Sequence, residues 1–522
     1  MAGRFIYIFI IIFFLNNYLF SQEFTYLNTD NIYKYEQIVY TDTPAFHTSI
    51  KPYLLNEIIN INLIDSIYCK HTNSKLLNYL FNKNIAEINY KNFRLSLNPV
   101  INLVFEEDRN DNFYNGSYGL ALNTNIKNKF ALACDFAYNK CSYPYDIDDK
   151  ISYTGIIPRF GKYEKHIGNI YDFYTYSGYL SYNCNSYINL QAGIGKNFLG
   201  DGYRSLLLSD NSNVYPFFKT TVNFWKIKYL VLFSALKDIN SDYHTFKLYE
   251  KYSATHYLSW NVFKFFNFNL FETVIWRGGD STGYRGFDVN YLNPVVIYRP
   301  VEYNLGSPDN VILGLGFKFK FLKSYNLYGQ LLLDEFKLSE IKKRNGWWAN
   351  KYGYQVGIKC FNFLTIKNLL FQSEYNYIRP YTYSHINTLE NYGSYYQPLA
   401  HPLGANLEEV ICLLRYSYKR ISINIKGIYS IYGADTMNSD FGQNIYLSYT
   451  KRNKEYENII CQGVKTELIN SEFKIAYLIN YKLNLQLEIG YRKRMFSNKI
   501  DKLNTDFVFI GIRTGLYNTE IE

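Results

Sequence analysis

Beyond residue 21 the sequence has no stretch of about 18 residues free of polar or charged groups, which excludes membrane-spanning helices. It also lacks a G-x-S-x-G elbow, an H-E-x-x-H pair and a phosphate-cradling G-x-x-x-x-G-K, the usual marks of hydrolases, zinc proteases and nucleotide enzymes. Ser205 with His385 or His401 is the one hydroxyl–imidazole combination to weigh, and nothing in the spacing joins them. No catalytic residue, cofactor or metal is therefore expected. The seven cysteines (Cys69, Cys134, Cys141, Cys184, Cys360, Cys412 and Cys461) are odd in number and lack metal-ligand spacing. Cys134 and Cys141 are close enough in sequence to bridge a loop; the alternative is that all seven are small apolar fillers of strands.

What is present begins with an export signal. Arg4 supplies charge, Phe5 to Leu15 form an apolar run, and Leu19-Phe20-Ser21 precedes Gln22, so cleavage is expected near Ser21. An uncleaved anchor is the competing reading, because Tyr18 to Phe20 prolong the apolar run. No cysteine follows that run, which argues against a lipoprotein. Without Arg4, 54 of the 55 basic residues remain against 45 acidic ones. A positive balance spread along the whole chain suits anionic surroundings such as lipopolysaccharide or acidic polysaccharide rather than nucleic acid.

Hydrophobic residues make up 48% of the chain, yet the mean hydropathy is −0.24, so apolar residues are dispersed rather than gathered into spans. Aromatics reach 19%, from 56 Tyr and 39 Phe. They suit pleated surfaces and membrane interfaces, although AT-rich codons would raise the same residues. Their order is more telling. Leu483, Leu485, Leu487, Ile489 and Tyr491 alternate with Asn484, Gln486, Glu488, Gly490 and Arg492. Period two over about ten residues predicts a strand with lipid on one side and water on the other. A one-residue slip would turn Glu488 and Arg492 toward lipid, at a cost on the order of 2–4 kcal/mol for the arginine. Ser186–Gly195 and the apolar set Ile227, Tyr229, Val231, Phe233 and Ala235 repeat the pattern.

Such segments occur near 92–104, 116–125, 129–138, 173–183, 186–195, 215–224, 226–236, 253–263, 267–276, 309–320, 324–334, 351–361, 364–377, 405–417, 420–431, 471–480, 483–493 and 505–516. The alternation is poor around Glu272, which shares a side with Phe268 and Leu270. Connections run short and long in turn: Trp225 or Tyr418-Lys419 against 139–172, 196–214, 277–308, 335–350, 378–404 and 432–470. That rhythm predicts an all-β fold, a closed antiparallel transmembrane β-barrel of about 18 strands in the outer membrane of a Gram-negative cell. The expected organisation is a signal peptide (1–21), a small N-terminal periplasmic segment (22–91), the barrel (92–516) and a tail (517–522). In the N-terminal segment Leu77, Leu80, Phe81 and Ile88 suggest a helix over Lys75–Ile88, with an irregular lead-in as the alternative. The segment would cap the barrel mouth or lie beside it.

Ligand-binding candidates fall in the long loops: Asp201, Arg204, Arg285, Asp288, Arg299, Glu302, Trp347, Trp348, Arg379 and His401. Arginine beside aromatics suits sugars or anionic glycans through stacking and forked hydrogen bonds. The competing reading is that the same arginines, acids and aromatics pack the loops into a lid over the lumen.

Four loop segments carry a family likeness: GKNFLGDGYRSLLLSD (195–210), YLNPVVIYRPVEYNLGSPDN (291–310), GWWANKYG (346–353) and RPYTYSHINTLENYG with QPLAHPLGAN (379–406). They resemble outer-membrane proteins of Bacteroidetes described as gliding-motility RemB-like and related to the capsule-assembly Wzi barrels. The resemblance implies an eighteen-stranded barrel with a small periplasmic helical element. It further implies a non-enzymatic role in organising surface polysaccharide or a surface adhesion or gliding complex, with outer-membrane lipid, lipopolysaccharide, polysaccharide or adhesins as partners. A porin-like diffusion channel for small solutes is the alternative. The chain departs from many barrels in continuing past Tyr517 with Asn-Thr-Glu-Ile-Glu, where a terminal aromatic is common.

Overall fold

The computed structural model describes residues 23–41, 45–58, 62–70, 72–108, 111–127, 129–239, 248–280, 283–293, 309–436 and 439–521. The expected signal peptide lies outside them. Eighteen antiparallel strands close into one barrel: β1 Phe93–Glu107, β2 Asn112–Ile126, β3 Phe130–Ser142, β4 Ile170–Asn183, β5 Ile188–Gly195 and β6 Tyr215–Phe224. These continue as β7 Ile227–Ile239, β8 Leu248–Phe263, β9 Phe266–Arg277, β10 Asn310–Phe321, β11 Tyr325–Glu335 and β12 Lys351–Phe361. The ring is completed by β13 Leu369–Ile378, β14 Leu407–Tyr418, β15 Ile421–Ala434, β16 Val464–Asn480, β17 Leu485–Ser497 and β18 Lys502–Arg513. Closure is by β18 on β1, from Val508 opposite Glu107 to Arg513 opposite Asn102. Among the described residues, each of the eighteen wall strands therefore has a hydrogen-bonded neighbour on both sides.

The predicted register holds in β17: Leu487, Ile489 and Tyr491 face outward and are exposed, while Gln486 and Glu488 face the lumen and are buried. The tight turns place Lys127, Trp225, Leu322, Lys323, Asn362, Lys419 and Asn484 at positive φ, the left-handed backbone that short hairpin connections require. The opposite end carries the long connections, except for the brief 108–111 and 498–501. The strand expected from residue 364 starts instead at Leu369, because Phe363–Thr365 form a 3-10 turn. Glu272 does face outward with Phe268 and Leu270, but it is buried. The chain at 283–293 folds down over this patch of outer wall, packing Phe287 and Tyr291 on Trp276, and the Asn293 backbone reaches His256, the cross-strand neighbour of Glu272.

Cys134 is exposed and Cys141 buried, on opposite faces of β3. At about 3.3 Å per residue they lie roughly 23 Å apart, so the loop bridge is excluded.

The N-terminal segment divides: residues 23–58 run inside the barrel, where a cap or a neighbour was expected, while residues 62–90 stay at its short-turn end. Helix α1 (Thr29–Thr41) sets Asp30 against Arg415 and Lys474 and Glu36 2.8 Å from Lys359. Farther along, His47 Nδ1 lies 2.9 Å from Ser259 Oγ, and Glu57 pairs with Lys228 at 2.6 Å. Helices α2 (Asn62–Tyr68) and α3 (Lys75–Asn82) follow. Arg420 and Asn480, at the short turns, donate to the C-terminal end of α3. The expected helix stops at Asn82; Ile88 belongs instead to a short strand, Ala86–Tyr90, that pairs with β1.

Candidate functional site

The expected site residues fall into three places. Loop 196–214 turns into the lumen and buries Asp201 and Arg204, which are 4% and 6% exposed. Its Leu206, Leu207 and Leu208 pack among Leu230, Leu232, Phe271 and Ile312 of the wall, with Tyr383, Tyr392 and Leu399 above. This apolar plug supplies the burial that holds the loop inward. The tip then docks on wall carboxylates. Glu374 accepts from the Tyr203 and Arg204 amides at 2.8 and 3.1 Å and from Tyr328 Oη at 2.9 Å. Glu409 takes the Arg204 guanidinium on both oxygens at 3.3 Å and His401 Nε2 at 2.8 Å. Asp201 accepts from Tyr40 at 2.7 Å and from Thr48. Burial opposes its ionisation, but Lys318 and these two donors hold its carboxyl below the ordinary range. Asp201, Arg204 and His401 thus spend their hydrogen bonds on the protein's own groups. A Cβ at Gly202 would come within 2.5 Å of Glu374, so this approach needs glycine.

Arg285 and Asp288 lie on the chain folded over the outer wall. The guanidinium of Arg285 reaches Asp288 at 2.8 Å and Asp309 at 2.7 Å, and Tyr291 donates to Asp309 at 2.6 Å. The bonds to Asp309 pin the segment at the start of β10. Arg299 and Glu302 lie outside the described residues.

Trp347, Trp348 and Arg379 meet at the long-loop end. Both indole N–H groups donate to one oxygen of Glu455, at 3.1 and 3.0 Å. Arg452 holds the other oxygen at 2.9 and 2.6 Å, and its guanidinium sits 4.4 Å over the Trp348 ring. Tyr449 packs on the Trp348 ring at 4.7 Å, while Arg379 lies over Tyr352 and reaches the Trp347 carbonyl. Hydrogen bonds from Arg452, with smaller contributions from the two tryptophans, hold Glu455 ionised below its ordinary range. Trp348 is buried, Trp347 is half-buried at the surface, and Lys342, Lys343, Arg344 and Lys454 stand exposed on the same two loops. The result is an aromatic shelf with fixed polar edges and a basic rim. Arg452 and Glu455 were missed by sequence reasoning; the charged run Lys451-Arg452-Asn453-Lys454-Glu455 was the available signal, more than 100 residues from the tryptophans it completes.

Among solved structures the chain is similar to Wzi of Escherichia coli, described as an outer-membrane protein involved in group 1 capsule assembly and a carbohydrate-binding β-barrel. The TM-score is 0.56 at 13% identity, over 94% of this chain and 98% of that one. It is also similar to two Pseudomonas aeruginosa proteins. OccK8 (OprE) gives a TM-score of 0.44 at 8% identity over 81% of this chain and 98% of that one. OccK5 (OpdH) gives 0.43 at 7% identity over 81% and 97%. By sequence the chain matches no family profile and none of the curated proteins. At these identities the likeness is one of fold, an outer-membrane barrel; it bears on the Wzi side of the expected resemblance and leaves the RemB-like side without support.

Proposed function

We propose that this protein is a non-enzymatic outer-membrane barrel that holds cell-surface polysaccharide at its long-loop mouth. The observation that carries this reading is the Trp347–Trp348–Arg452–Glu455 cluster. A ring face partly open to solvent stacks on the apolar face of a sugar, and fixed charged edges offer hydrogen bonds at its rim. The basic residues around it suit an acidic glycan and the anionic cell surface. A surface adhesion or gliding complex would use the same mouth, through its aromatic residues.

The test is binding of isolated surface polysaccharide to detergent-solubilised protein. Trp347→Ala is expected to weaken binding about tenfold or more, the loss of one stacked contact of ~1–2 kcal/mol. Unchanged affinity in Trp347→Ala and Arg379→Ala alike would remove the mouth from consideration. The channel reading differs in planar bilayers. With the lumen occupied by residues 23–58, 196–214 and 514–521, the purified protein is expected to stay electrically silent, and steady ion-permeable openings would favour the channel.

A further inference from the structure

Five cations on the lumenal face of β14–β18 line up in a stripe, Arg415, Lys426, Lys474, Arg492 and Arg513, while Arg494, farther along β17, pairs with Asp146. Among the described residues, the wall strands return three carboxylates to them. Glu472 faces Arg492 at 3.0 Å and Lys426 at 4.0 Å, Glu488 faces Arg513 at 2.8 Å, and Glu106 lies 3.7 Å from Arg492. Two further carboxylates arrive from outside the wall. One is Asp30 of α1, on Arg415 and Lys474. The other is Glu520, from the tail that leaves β18 at Arg513 and turns back into the lumen.

The course of that tail is well defined. Tyr517 donates to Asp135 at 2.5 Å, Asn518 donates to Asp210 at 2.8 Å, and Arg159 donates to the Glu520 carbonyl at 2.8 Å. The Glu520 carboxylate then lies 3.0 Å from Lys426, 3.7 Å from Lys474 and 3.8 Å from Arg492. A cavity of about 90 Å³ adjoins it, bounded among others by Asp30, Tyr33, Arg415, Lys426 and Lys474. At ~30 Å³ per water this is room for a few waters or one small polar group.

We infer that the stripe is a carboxylate-binding site whose seat is filled by the protein's own Glu520, and that it takes an organic acid or a sugar acid when the tail is absent. Buried cations without counter-charge are costly, so five lysine and arginine groups against three wall carboxylates demand anions from elsewhere. The tail meets that demand with a side chain that is not part of the wall, and where that side chain is removed a free ligand of the same chemistry can take its place. Three cations around one carboxylate also give more directional contact than a single ion pair.

The experiment is chemical rescue in the full chain. Glu520→Ala vacates the seat and leaves the tail's other anchors in place. Its midpoint for heat unfolding, read by gel mobility, is expected below that of the parent. Sodium propionate should raise it saturably, by on the order of 1–2 °C, whereas sodium chloride at equal ionic strength should not. The parent, the Glu520→Gln variant with its seat filled, and a Glu520→Ala/Lys474→Gln double variant should not respond to propionate. Equal effects of propionate and chloride on Glu520→Ala would overturn the site and leave only internal ion pairs. A second arm deletes residues 514–522 and titrates sodium glucuronate by calorimetry against barrels that retain their gel shift. Saturable binding that Lys474→Gln abolishes supports the site, and no binding overturns it. The tryptophan mouth is untouched by every variant here, so the two proposals fail separately.

Discussion

Single residues in this barrel are held by where their charge is spent. Glu409 satisfies Arg204 and His401 together inside the plug. Glu409→Ala is expected to cost about 3–5 kcal/mol, because it strands a buried guanidinium, and to lower the heat-unfolding midpoint accordingly. Gly202→Val should act on the same contact by steric means, lifting the loop tip off Glu374; increased protease cleavage within 196–214 is the readout. Asp440 shows the opposite electrostatics. Burial, with the neighbouring Asp435, pushes its carboxyl up to about 7. A folded-state value above the unfolded one means the native loop binds the proton more tightly, so its contribution to stability falls as pH rises from about 4 to about 7. Asp440→Asn should flatten that decline and leave the midpoint at pH 8 above the parent's. A parent whose stability rises steadily over this window would contradict it.

Elements differ in how far they depend on their surroundings. A wall strand such as β17 is defined by two solvents, lipid and lumen, and its alternation records both. Loop 196–214 is defined by one neighbour, the inner wall, and its signal was compositional: three consecutive leucines in a connection that ought to be polar. Replacing 198–208 with a short Gly-Ser turn should keep the gel shift of a folded barrel and produce measurable conductance in planar bilayers. Continued silence would mean that residues 23–58 and the tail fill the bore without the loop. Glu272 teaches the converse. Its failure to fit the alternation was a real feature, an outward carboxylate that is nonetheless buried, rather than a break in the strand.

At the scale of the molecule, closure of eighteen strands satisfies every wall strand's backbone without water, and this makes the folded form resistant to mild detergent. Unboiled protein should therefore migrate differently from boiled protein on a denaturing gel; identical migration would refute the closed barrel. The strand count, their order and the outward face were readable from residue order alone. Membrane and water impose a two-residue period locally, strand by strand, with no need to know which strand comes next. What filled the barrel was not readable. Whether the GDGYR tip points outward or inward depends on Glu374 and Glu409, some 170 to 205 residues later in the chain. The tryptophan shelf likewise needs Glu455, and the cationic stripe needs a helix from one end of the chain and a tail from the other. Such pairings are set by where closure of the ring brings distant segments, so only the tertiary structure decided which loop residues became plug and which remained at the surface.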